Sequence, residues 1–330
     1  MQDASSVVPS LPQVGAGTLN VIVSIIIVNW KVRDLLRQCL SSLLTRSGLA
    51  AADMQILVVD NHSEDGSVEM IAGEFPGVTL IANPDNPGFG KANNQALPLC
   101  TGRYLLLLNP DTLVLDGAIA RLVERMDART DVAAMGCRLV NADGSLQRWT
   151  GGAFPRVLNV ARHYLFLDVL VPRGLRPPPL YLDHDTQDEI DVDWVSGACM
   201  ILRRAMLAGR LFDPAFFMYG EDMELCQRLK LAGHRVVYSP AATIVHYQGA
   251  SMKQQRGDVL LSSLKGPRQF YRQIRGERAL WCVDALTVMG FGLRCVLYSV
   301  AGWLRPARGF AGKSASSKDL MYRAWRIWQG

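Results

Sequence analysis

The stretch that decides the fold is VIVSIIIV, residues Val21–Val28, close to the start of a chain of 330 residues. It is almost entirely apolar and rich in the β-branched residues that favour strands. The run is too short to cross a membrane and too uniform for a strand with one face in water. We therefore predict a fully buried strand of a parallel sheet.

Three more apolar runs follow, and each ends in a polar cluster. We predict that they form strands, the first two buried like Val21–Val28, at Gln55–Val59 before Asp60, Val78–Ile81 before Asn83 and Tyr104–Leu108 before Asn109. A helix is predicted at Arg33–Leu44. Strands that alternate with helices indicate an α/β fold built on a doubly wound, mostly parallel sheet. In such a sheet the ligand site lies at the carboxyl ends of the strands.

The second half of the chain is less regular and more basic. The pattern weakens beyond Val132, and the proline-rich segment Pro172–Pro179 indicates a long loop. From Ser251 to the end there are 14 Lys or Arg against 4 Asp or Glu, whereas the net charge of the whole chain is +5. We predict a flexible tail over 1–20, a sheet domain over 21–250 and a basic, helical region over 251–330.

The basic region contains an apolar segment flanked by arginines. Residues 279–304 are apolar apart from Asp284 and Arg294. A single-strand nucleic-acid groove would instead display aromatic residues among charges. The composition therefore favours one or two helices lying on an anionic membrane surface over nucleic-acid binding. A pair of helices buried against the sheet domain is the alternative.

The cysteines and the N-terminus indicate a cytoplasmic protein. The seven cysteines are scattered, odd in number and without C-x-x-C spacing, which indicates reduced thiols and no zinc site. The first 20 residues lack the basic and apolar regions of a signal peptide, so nothing in them directs export.

Two polar segments suit a phosphorylated ligand. DNHSEDGS (Asp60–Ser67) begins with a carboxylate that can accept a hydrogen bond from N3–H of uracil or thymine, although a helix-capping turn has the same composition. NPGFGKANN (Asn86–Asn94) offers glycines that admit a phosphate and a cation at Lys91. However, Asn93 stands where the dinucleotide fingerprint needs its third glycine, and no Ser or Thr follows Lys91 as in a P-loop. Dehydrogenase and NTPase functions are therefore disfavoured.

Candidate metal and acid–base groups follow later in the chain. Asp111, in Asn109-Pro110-Asp111, could bind a hard divalent cation, or the segment could be a simple turn. Glu221 and Asp222 open a helix predicted to end at Gly233, where acids compensate the helix dipole. The preceding segment FFMY would also shelter a carboxylate that acts as a general base. His246 follows a strand predicted at Val236–Tyr238, and a lone histidine is more often structural than a ligand.

The order of these segments resembles that of family 2 glycosyltransferases of the GT-A fold. Within the family it is most similar to the bacterial rhamnosyltransferases that build cell-wall and surface polysaccharides. The resemblance extends from Val21 to about Ser251. The segments that carry it are VSIIIVNW (Val23–Trp30), VVDNHSEDGS (Val58–Ser67), NPGFGKANN (Asn86–Asn94), LLLLNPD (Leu105–Asp111), WVSGACMILRR (Trp194–Arg204), FFMYGEDMELCQR (Phe216–Arg228) and HYQGAS (His246–Ser251).

The resemblance implies roles for individual residues. Asp60 would bind the donor base and Trp30 would stack on it. The other implied donor-binding residues are Asn86, Lys91, Asn109 and Asp111. Asp111 and His246 would hold Mg²⁺ or Mn²⁺, with Asn109 replacing the first acid of the family's D-x-D motif. Asp222 matches the catalytic base, and Glu221 is its neighbour at the start of the helix.

The resemblance also implies a reaction and its partners. We expect an inverting transfer of a sugar from a nucleotide-sugar donor to a glycan acceptor linked to polyprenyl diphosphate. The expected donor is dTDP-rhamnose, with UDP- and GDP-sugars as alternatives. A catalytically silent homologue that only binds nucleotide sugars is a further alternative, because Asn109 replaces an acid. The expected location is peripheral, on the inner face of the cytoplasmic membrane, and no nucleic-acid partner is expected.

Overall fold

The structure is a computed structural model that describes residues 21–148, 150–172, 178–182, 185–247, 256–304 and 310–329. Its strands are β1 Val23–Asn29, β2 Met54–Asp60, β3 Thr79–Ala82, β4 Tyr104–Leu108, β5 Thr112–Val114, β6 Val132–Val140, β7 Gly151–Gly152, β8 Ile190–Asp191, β9 Trp194–Val195, β10 Cys199–Arg203 and β11 Arg235–His246. Its α-helices are α1 Arg33–Arg46, α2 Ser67–Glu74, α3 Phe89–Ala96, α4 Ala118–Ala128, α5 Val157–Tyr164, α6 Glu221–Leu231, α7 Arg256–Leu304 and α8 Phe310–Gln329.

The main sheet of the described residues has nine strands in the order β3-β2-β1-β4-β10-β6-β11-β5, with β8 paired to β11. β1 is parallel to β2 and β4, and β2 is parallel to β3. β10 is antiparallel to both β4 and β6, and β6 is parallel to β11. Two antiparallel pairings restore the strand direction, so β1, β2, β4, β6 and β11 all end at one edge of the sheet. We call this the carboxyl edge.

β1 is covered on both faces, which explains its uniform apolar sequence. Val23, Ile25 and Ile27 pack into a layer with α1, α2 and α4. Ile26 and Val28 pack into the opposite layer with α3 and α6. Because successive side chains of a strand point to opposite faces, burial of both faces requires an unbroken apolar run.

The predicted strands are confirmed, with ends that shift by one or two residues. The prediction that the third strand is buried is wrong, because β3 lies at the edge of the sheet and none of its residues is buried. An edge strand has a neighbour on one side only, so its side chains stay accessible. The predicted strand at Val236–Tyr238 is the first part of the much longer β11. The predicted boundary between residues 250 and 251, the tail over 1–20 and much of the proline-rich loop lie outside the described residues.

The glycine-containing loop after β3 packs against the loop that precedes α6. Gly88 has φ 93°, and a Cβ there would lie 2.5 Å from the Phe217 carbonyl oxygen. The Phe89 N–H donates to that same oxygen at 2.9 Å. Only glycine combines this backbone conformation with so close an approach. The sequence NPGFG is therefore explained by loop packing.

The C-terminal helices form an antiparallel pair. Trp281 contacts Trp328 with ring centroids 5.5 Å apart, and Ser299 Oγ lies 2.7 Å from Ser314 Oγ. α7 is interrupted at Gly276, which has φ 77°. Within α7, residues 265–304 are long and apolar enough to span a membrane by length and composition alone.

Asp284 and Arg294, the two charged residues within the apolar segment 279–304 of α7, have partners in the protein. Arg268 Nε donates to Asp284 Oδ2 at 2.9 Å. Arg294 donates to the carbonyl oxygens of Tyr164 and His163 at 2.8 and 3.0 Å. The Arg268–Asp284 contact joins the two parts of α7 on either side of Gly276, and the Arg294 contacts attach the helix to α5. Both charges that interrupt the apolar segment 279–304 are thereby satisfied.

α7 also touches the loop that leads into α6. A Cβ on Gly266 would lie 2.0 Å from the carbonyl oxygen of Tyr219, and one on Gly220 would lie 2.7 Å from that of Gly266. The two backbones therefore meet without intervening side chains. The C-terminal helices and the start of α6 form a single packed unit.

Candidate active site

Several of the predicted site residues meet at the carboxyl edge. Asn29 at the end of β1 is in register with Asp60 at the end of β2. Thr112 of β5 is in register with His246 at the end of β11. This pairing brings Asp111, the residue before Thr112, next to His246.

Asp111 and His246 are in direct contact. Asp111 Oδ1 lies 3.1 Å from His246 Nε2, and both side chains are about nine-tenths buried. The Tyr247 N–H donates to the Asp111 carbonyl oxygen at 2.8 Å. Asn109 Nδ2 lies 3.3 Å from the same His246 Nε2. The structure therefore brings together Asn109, Asp111 and His246, which are far apart in sequence.

Gln147 completes this group, and the sequence analysis missed it. Its Oε1 lies 2.9 Å from His246 Nδ1, and its Nε2 donates to the His246 carbonyl oxygen at 2.5 Å. The side chain is buried. The turn sequence Asn141-Ala142-Asp143-Gly144-Ser145 just before it was the available signal, but a turn alone does not indicate a site.

The contacts of Asp111 and His246 suit a divalent cation that also binds a ligand. Carboxylate oxygen suits Mg²⁺ and Mn²⁺, and imidazole nitrogen is the commonest protein metal ligand. No cluster of three or more His, Cys, Asp or Glu side chains suited to a metal occurs in the part of the chain that the structure describes. One or two protein ligands completed by phosphate oxygens are usual for Mg²⁺ at phosphate sites. The pair therefore fits a cation shared with a diphosphate rather than a closed structural site.

In the acidic pair at the start of α6, Glu221 is buried and Asp222 is half-buried. Asp222 Oδ1 accepts a hydrogen bond from the Met223 N–H at 2.8 Å, and the Gly197 N–H also stabilises the carboxylate. Burial nevertheless raises the pKa of Asp222 above that of an ordinary aspartate. A base whose pKa approaches neutrality is suited to proton removal.

Glu221 is the more deeply buried member of the pair. It is 5% exposed, and its Oε2 has no hydrogen-bond partner among the described residues. Burial, and then the charge of Asp222, raise the pKa of Glu221 above its ordinary value. The cost of holding an unpaired charge there favours the protonated acid.

We expect Glu221→Gln to raise the melting temperature Tm more at pH 8 than at pH 5. The folded chain keeps the Glu221 proton to higher pH than the unfolded chain does, so the parent loses stability as pH rises above the ordinary value of 4.5. A neutral amide does not titrate. Each kcal/mol of unfolding free energy that the variant regains raises Tm by about 2–4 °C in a domain of this size. Thermal unfolding followed by circular dichroism at both pH values measures the effect.

Glu224→Gln is the matched control for this prediction. Glu224 lies on the same helix, but its carboxylate is 3.1 Å from Arg228 Nε and gains from being charged. This control should not gain stability at pH 8. If Glu221→Gln and the parent show the same dependence of Tm on pH, the burial argument for Glu221 is wrong.

Tyr219 is affected by the charges of both Asp111 and the acidic pair of α6. Burial, and then the charges of Glu221, Asp111 and Asp222, raise the pKa of Tyr219 to about 12. The phenol thus lies in electrostatic range of Asp111 and of both α6 carboxylates. Tyr219 and Gly220 have φ 68° and 91°, so two left-handed residues turn the chain sharply into α6.

Asp60 lies in a hydrogen-bonded cluster at the ends of β1 and β2. Its Oδ1 accepts from Asn29 Nδ2 at 2.7 Å and from Ser63 Oγ at 2.6 Å, and its Oδ2 accepts from the Ser63 N–H at 3.0 Å. A carboxylate oxygen has two acceptor positions, so Oδ2 retains one for a further N–H. Asn29, which the sequence analysis did not single out, holds this carboxylate in place.

Trp30 follows β1 and precedes Lys31, one of the residues that line an open cleft. Lys31 Nζ lies 5.6 Å from the centre of the half-buried Trp30 ring. The cleft has a volume of about 570 Å³, and Lys31, Arg33, Ser63 and Asp65 are among its lining residues. Small-molecule sites span about 300–1,000 Å³. The cleft is therefore large enough for part of a nucleotide.

Asn86 and Lys91 lie on the glycine-containing loop with different surroundings. Asn86 Oδ1 accepts from Asn61 Nδ2 at 3.1 Å and from the Gly88 N–H at 3.0 Å. Its oxygen therefore helps to hold the loop. Lys91 is exposed on the first turn of α3, with its ammonium group accessible to a ligand.

Comparison with known families identifies the chain. Residues 24–209, more than half of it, match the profile of Glycosyl transferase family 2. The chain is a family 2 glycosyltransferase. The resemblance noted in the sequence is thereby confirmed, and an activity of the dehydrogenase or NTPase type is set aside.

Two curated relatives of this glycosyltransferase are named rhamnosyltransferases. The N-acetylglucosaminyl-diphospho-decaprenol L-rhamnosyltransferase of Mycobacterium tuberculosis (strain H37Rv) is 27% identical over 211 residues, 60% of this chain and 68% of that protein. Rhamnosyltransferase WbbL of Escherichia coli (strain K12) is 26% identical over 199 residues, 58% of this chain and 72% of that protein. The glycosyltransferase is thus related to rhamnosyltransferases, as predicted.

A solved structure shows the fold. The mannosyltransferase of Pyrobaculum calidifontis in complex with GDP-Man and Mn²⁺ matches with a TM-score of 0.51 and 17% sequence identity. The match covers 92% of this chain and 85% of that chain. The predicted GT-A fold of the glycosyltransferase is confirmed.

Proposed function

We propose that this glycosyltransferase transfers L-rhamnose from dTDP-rhamnose to a glycan acceptor carried on polyprenyl diphosphate, with inversion at the anomeric carbon. The observation that carries the proposal is the grouping of the Asp111–His246 pair and of Asp222 near Tyr219. The pair suits a cation that bridges a diphosphate, and Asp222 suits a general base.

The donor nucleotide is proposed to bind across the ends of β1 and β2. Asp60 Oδ2 accepts the N3–H of thymine or uracil, and Trp30 stacks on the base. The choice of rhamnose is supported by the names of the relatives from M. tuberculosis and E. coli. UDP- and GDP-sugars are the alternative donors.

The sugar diphosphate is proposed to lie over β4 and the start of α3. Lys91 is accessible there to an anionic ligand, and Asn86 and Asn109 supply polar side chains along the same edge. Asp111 offers a hard oxygen and His246 a nitrogen to Mg²⁺ or Mn²⁺. When bound, such a cation neutralises the charge that develops on the departing diphosphate. The P. calidifontis mannosyltransferase, solved in complex with GDP-Man and Mn²⁺, supports a divalent cation in general.

Asp222 is proposed to carry out the proton transfer. Its carboxylate removes the proton of the acceptor hydroxyl while that oxygen bonds to the anomeric carbon. The bond between this carbon and the diphosphate oxygen breaks at the same time, and the electron pair leaves with the diphosphate. One attack, from the face opposite the leaving group, inverts the configuration.

The stereochemistry of the product tests this mechanism. A short-chain lipid diphosphate carrying N-acetylglucosamine is a suitable acceptor, in view of the name of the M. tuberculosis relative. The anomeric C–H coupling in the NMR spectrum of the product should report the configuration opposite to that of the donor. A product with the configuration of the donor would contradict the single displacement.

The acceptor is proposed to enter from the side of the C-terminal helices. A cavity of about 100 Å³ has Met223 of α6, Tyr164 of α5, Val283 of α7 and Ala324 of α8 in its wall. Tyr181 is also in the wall, and the charge of Asp222 acts on its phenol, so this mostly apolar space lies in electrostatic range of the proposed base. This arrangement supports a substrate with an apolar portion.

The outer face of the C-terminal helices is proposed to bind the inner face of the cytoplasmic membrane. Asp284 and Arg294 are satisfied by contacts with the protein, so they do not oppose contact of the other face with lipid. That face exposes large apolar side chains, with Trp281 60% and Trp303 83% exposed. Other exposed residues of α7 are Met289, Val296, Leu297, Val300 and Leu304. Large exposed apolar surfaces mark interaction sites.

We expect the triple variant Arg272→Gln, Arg275→Gln and Arg278→Gln to lose most of its co-sedimentation with anionic liposomes at low salt. These arginines are exposed around the interruption at Gly276, whereas Arg268 is kept because it bonds Asp284. Each basic residue near an anionic surface contributes about 1 kcal/mol, so the affinity should fall about 100-fold. High salt should likewise weaken the binding of the parent to the liposomes.

The matched control for the liposome experiment replaces three surface arginines of the sheet domain, of which Arg46 and Arg125 are exposed and Arg37 is half-buried. Arg37→Gln, Arg46→Gln and Arg125→Gln remove the same charge from α1 and α4, away from the C-terminal helices. Binding by this control should be close to that of the parent. Undiminished binding by the α7 variant would contradict electrostatic anchoring there, and absence of binding by the parent would contradict the membrane proposal.

A further inference from the structure

We propose that Gln147 is a positioning residue that fixes the tautomer and the ring orientation of His246. As a result, Nε2 is unprotonated on the side of Asp111, where it would be available to a cation that both residues hold. The inference rests on the proposed function, because it assigns Gln147 to the metal site formed by Asp111 and His246. Gln147 and the turn after β6 are thereby added to that site.

The side-chain amide of Gln147 has only one consistent orientation. Its Nε2 lies 2.5 Å from the His246 carbonyl oxygen and 3.0 Å from Asn141 Oδ1. Asn141 Nδ2 donates to Ser145 Oγ at 2.9 Å, so the Asn141 oxygen is the atom that faces Gln147. Two acceptors therefore require the NH₂ group of Gln147 on that side. Its Oε1 must then face His246 Nδ1, at 2.9 Å.

This orientation determines which ring nitrogen of His246 carries the proton. An amide oxygen only accepts hydrogen bonds, so Nδ1 must be the donor. In the neutral imidazole the other nitrogen, Nε2, is then an unprotonated acceptor. Nε2 is the atom that lies 3.1 Å from Asp111 Oδ1. Histidines that bind metals commonly have the second ring nitrogen fixed in this way.

The turn after β6 holds Gln147 in place. The Asn141 N–H donates to the Ser145 carbonyl oxygen at 2.8 Å, and the Gly144 N–H donates to that of Asn141 at 2.9 Å. The Gln147 N–H donates to the Leu139 carbonyl oxygen at 2.9 Å. Asn, Gly and Ser are residues that favour such a turn. The turn thus gives the buried glutamine a fixed backbone.

Binding of Mn²⁺ in the presence of dTDP tests the inference. The electron paramagnetic resonance signal of free Mn²⁺ gives the Kd, and Gln147→Leu removes the amide at similar side-chain size. We expect the Kd for Mn²⁺ to rise about 10- to 100-fold, with a much smaller change of kcat at saturating Mn²⁺. Gln55→Leu is the matched control, because Gln55 accepts from Ser24 Oγ at 2.6 Å near the opposite edge of the sheet. Its Kd should equal that of the parent.

Nitrogen-15 spectra of the histidine side chains provide a second readout that needs neither metal nor turnover. In the metal-free parent His246 should carry a proton on Nδ1, because Gln147 Oε1 can only accept a hydrogen bond there. The chain has five histidines, and His246→Ala identifies the signal. Gln147→Leu should shift it toward the Nε2–H tautomer. The Nε2–H tautomer in the parent would overturn the inference.

The outcomes separate this inference from the proposed function. A parent that does not bind Mn²⁺ contradicts the proposed metal site itself. If His246→Ala weakens Mn²⁺ binding but Gln147→Leu retains the parental Kd, the metal site stands and the role of Gln147 is wrong.

Discussion

Asp222→Asn is expected to lower kcat by about 10²- to 10⁴-fold and to change the affinity for the donor by less than about threefold. The asparagine has nearly the same shape and can still accept from the Met223 N–H, but it cannot take a proton at neutral pH. The base acts on the acceptor hydroxyl and not on the nucleotide, so donor binding should persist. Initial rates and calorimetric titration with the donor measure the two quantities.

The pH dependence of the parent should agree with this role. Because burial raises the pKa of Asp222, kcat/KM should rise with pH across an acid limb that lies above the ordinary range of an aspartate. Glu224→Gln, on the same helix, is the control and should keep kcat near that of the parent. Retention of kcat within about threefold by Asp222→Asn would remove Asp222 from the reaction.

Asp111→Ala and His246→Ala are expected to raise the Mn²⁺ concentration for half-maximal activity by at least about tenfold. Each substitution removes one of the two side chains proposed to hold the cation. Loss of a residue that only orients a metal ligand already lowers the metal affinity about 10- to 100-fold. Titration of initial rates with Mn²⁺ measures the effect. We expect Asp111→Ala to have the larger effect with Mg²⁺, because Mg²⁺ prefers oxygen ligands.

Asp116→Ala is the matched control for the metal experiments. The Asp116 side chain is 91% exposed and lies two residues before α4. The Mn²⁺ concentration for half-maximal activity of Asp116→Ala should equal that of the parent. An unchanged dependence in His246→Ala would show that this histidine is structural.

Strands β1, β2 and β4 were predictable because their signals are local. Each is a short apolar run that ends in a polar residue or is followed at once by one, and burial on both faces requires such a run. The position of β10 between β4 and β6 was not predictable from such runs, because strand order depends on long-range packing. The exposure of β3 followed from that same order.

The candidate site was predictable only in part. Asp111 and Asp222 lie in recognisable segments, whereas the contact between Asp111 and His246 depends on the pairing of β5 with β11. Asn29 and Gln147 were missed because a buried amide has no sequence pattern of its own. Their roles follow from hydrogen bonds between residues that lie 31 and 99 positions apart.

The orientation of α7 was also beyond the reach of sequence periodicity. At 100° per residue, Asp284 and Arg294 fall about 80° apart and form a polar stripe on one side of α7, but spacing does not say what this stripe faces. In the structure it faces α5 and the rest of the protein, and the apolar residues are exposed. The surface that a polar stripe contacts depends on how the neighbouring elements pack, and residue spacing within one helix does not determine that packing.

The most direct test of the central claim is the release of nucleoside diphosphate from a panel of sugar donors, with and without EDTA. The panel contains dTDP-rhamnose, UDP-glucose, UDP-N-acetylglucosamine and GDP-mannose, each with the lipid-linked acceptor. We predict release of dTDP from dTDP-rhamnose, abolition of that release by EDTA and its restoration by excess Mn²⁺ or Mg²⁺. Release that EDTA does not affect would contradict the metal site, and absence of release from every donor would contradict glycosyl transfer by this chain.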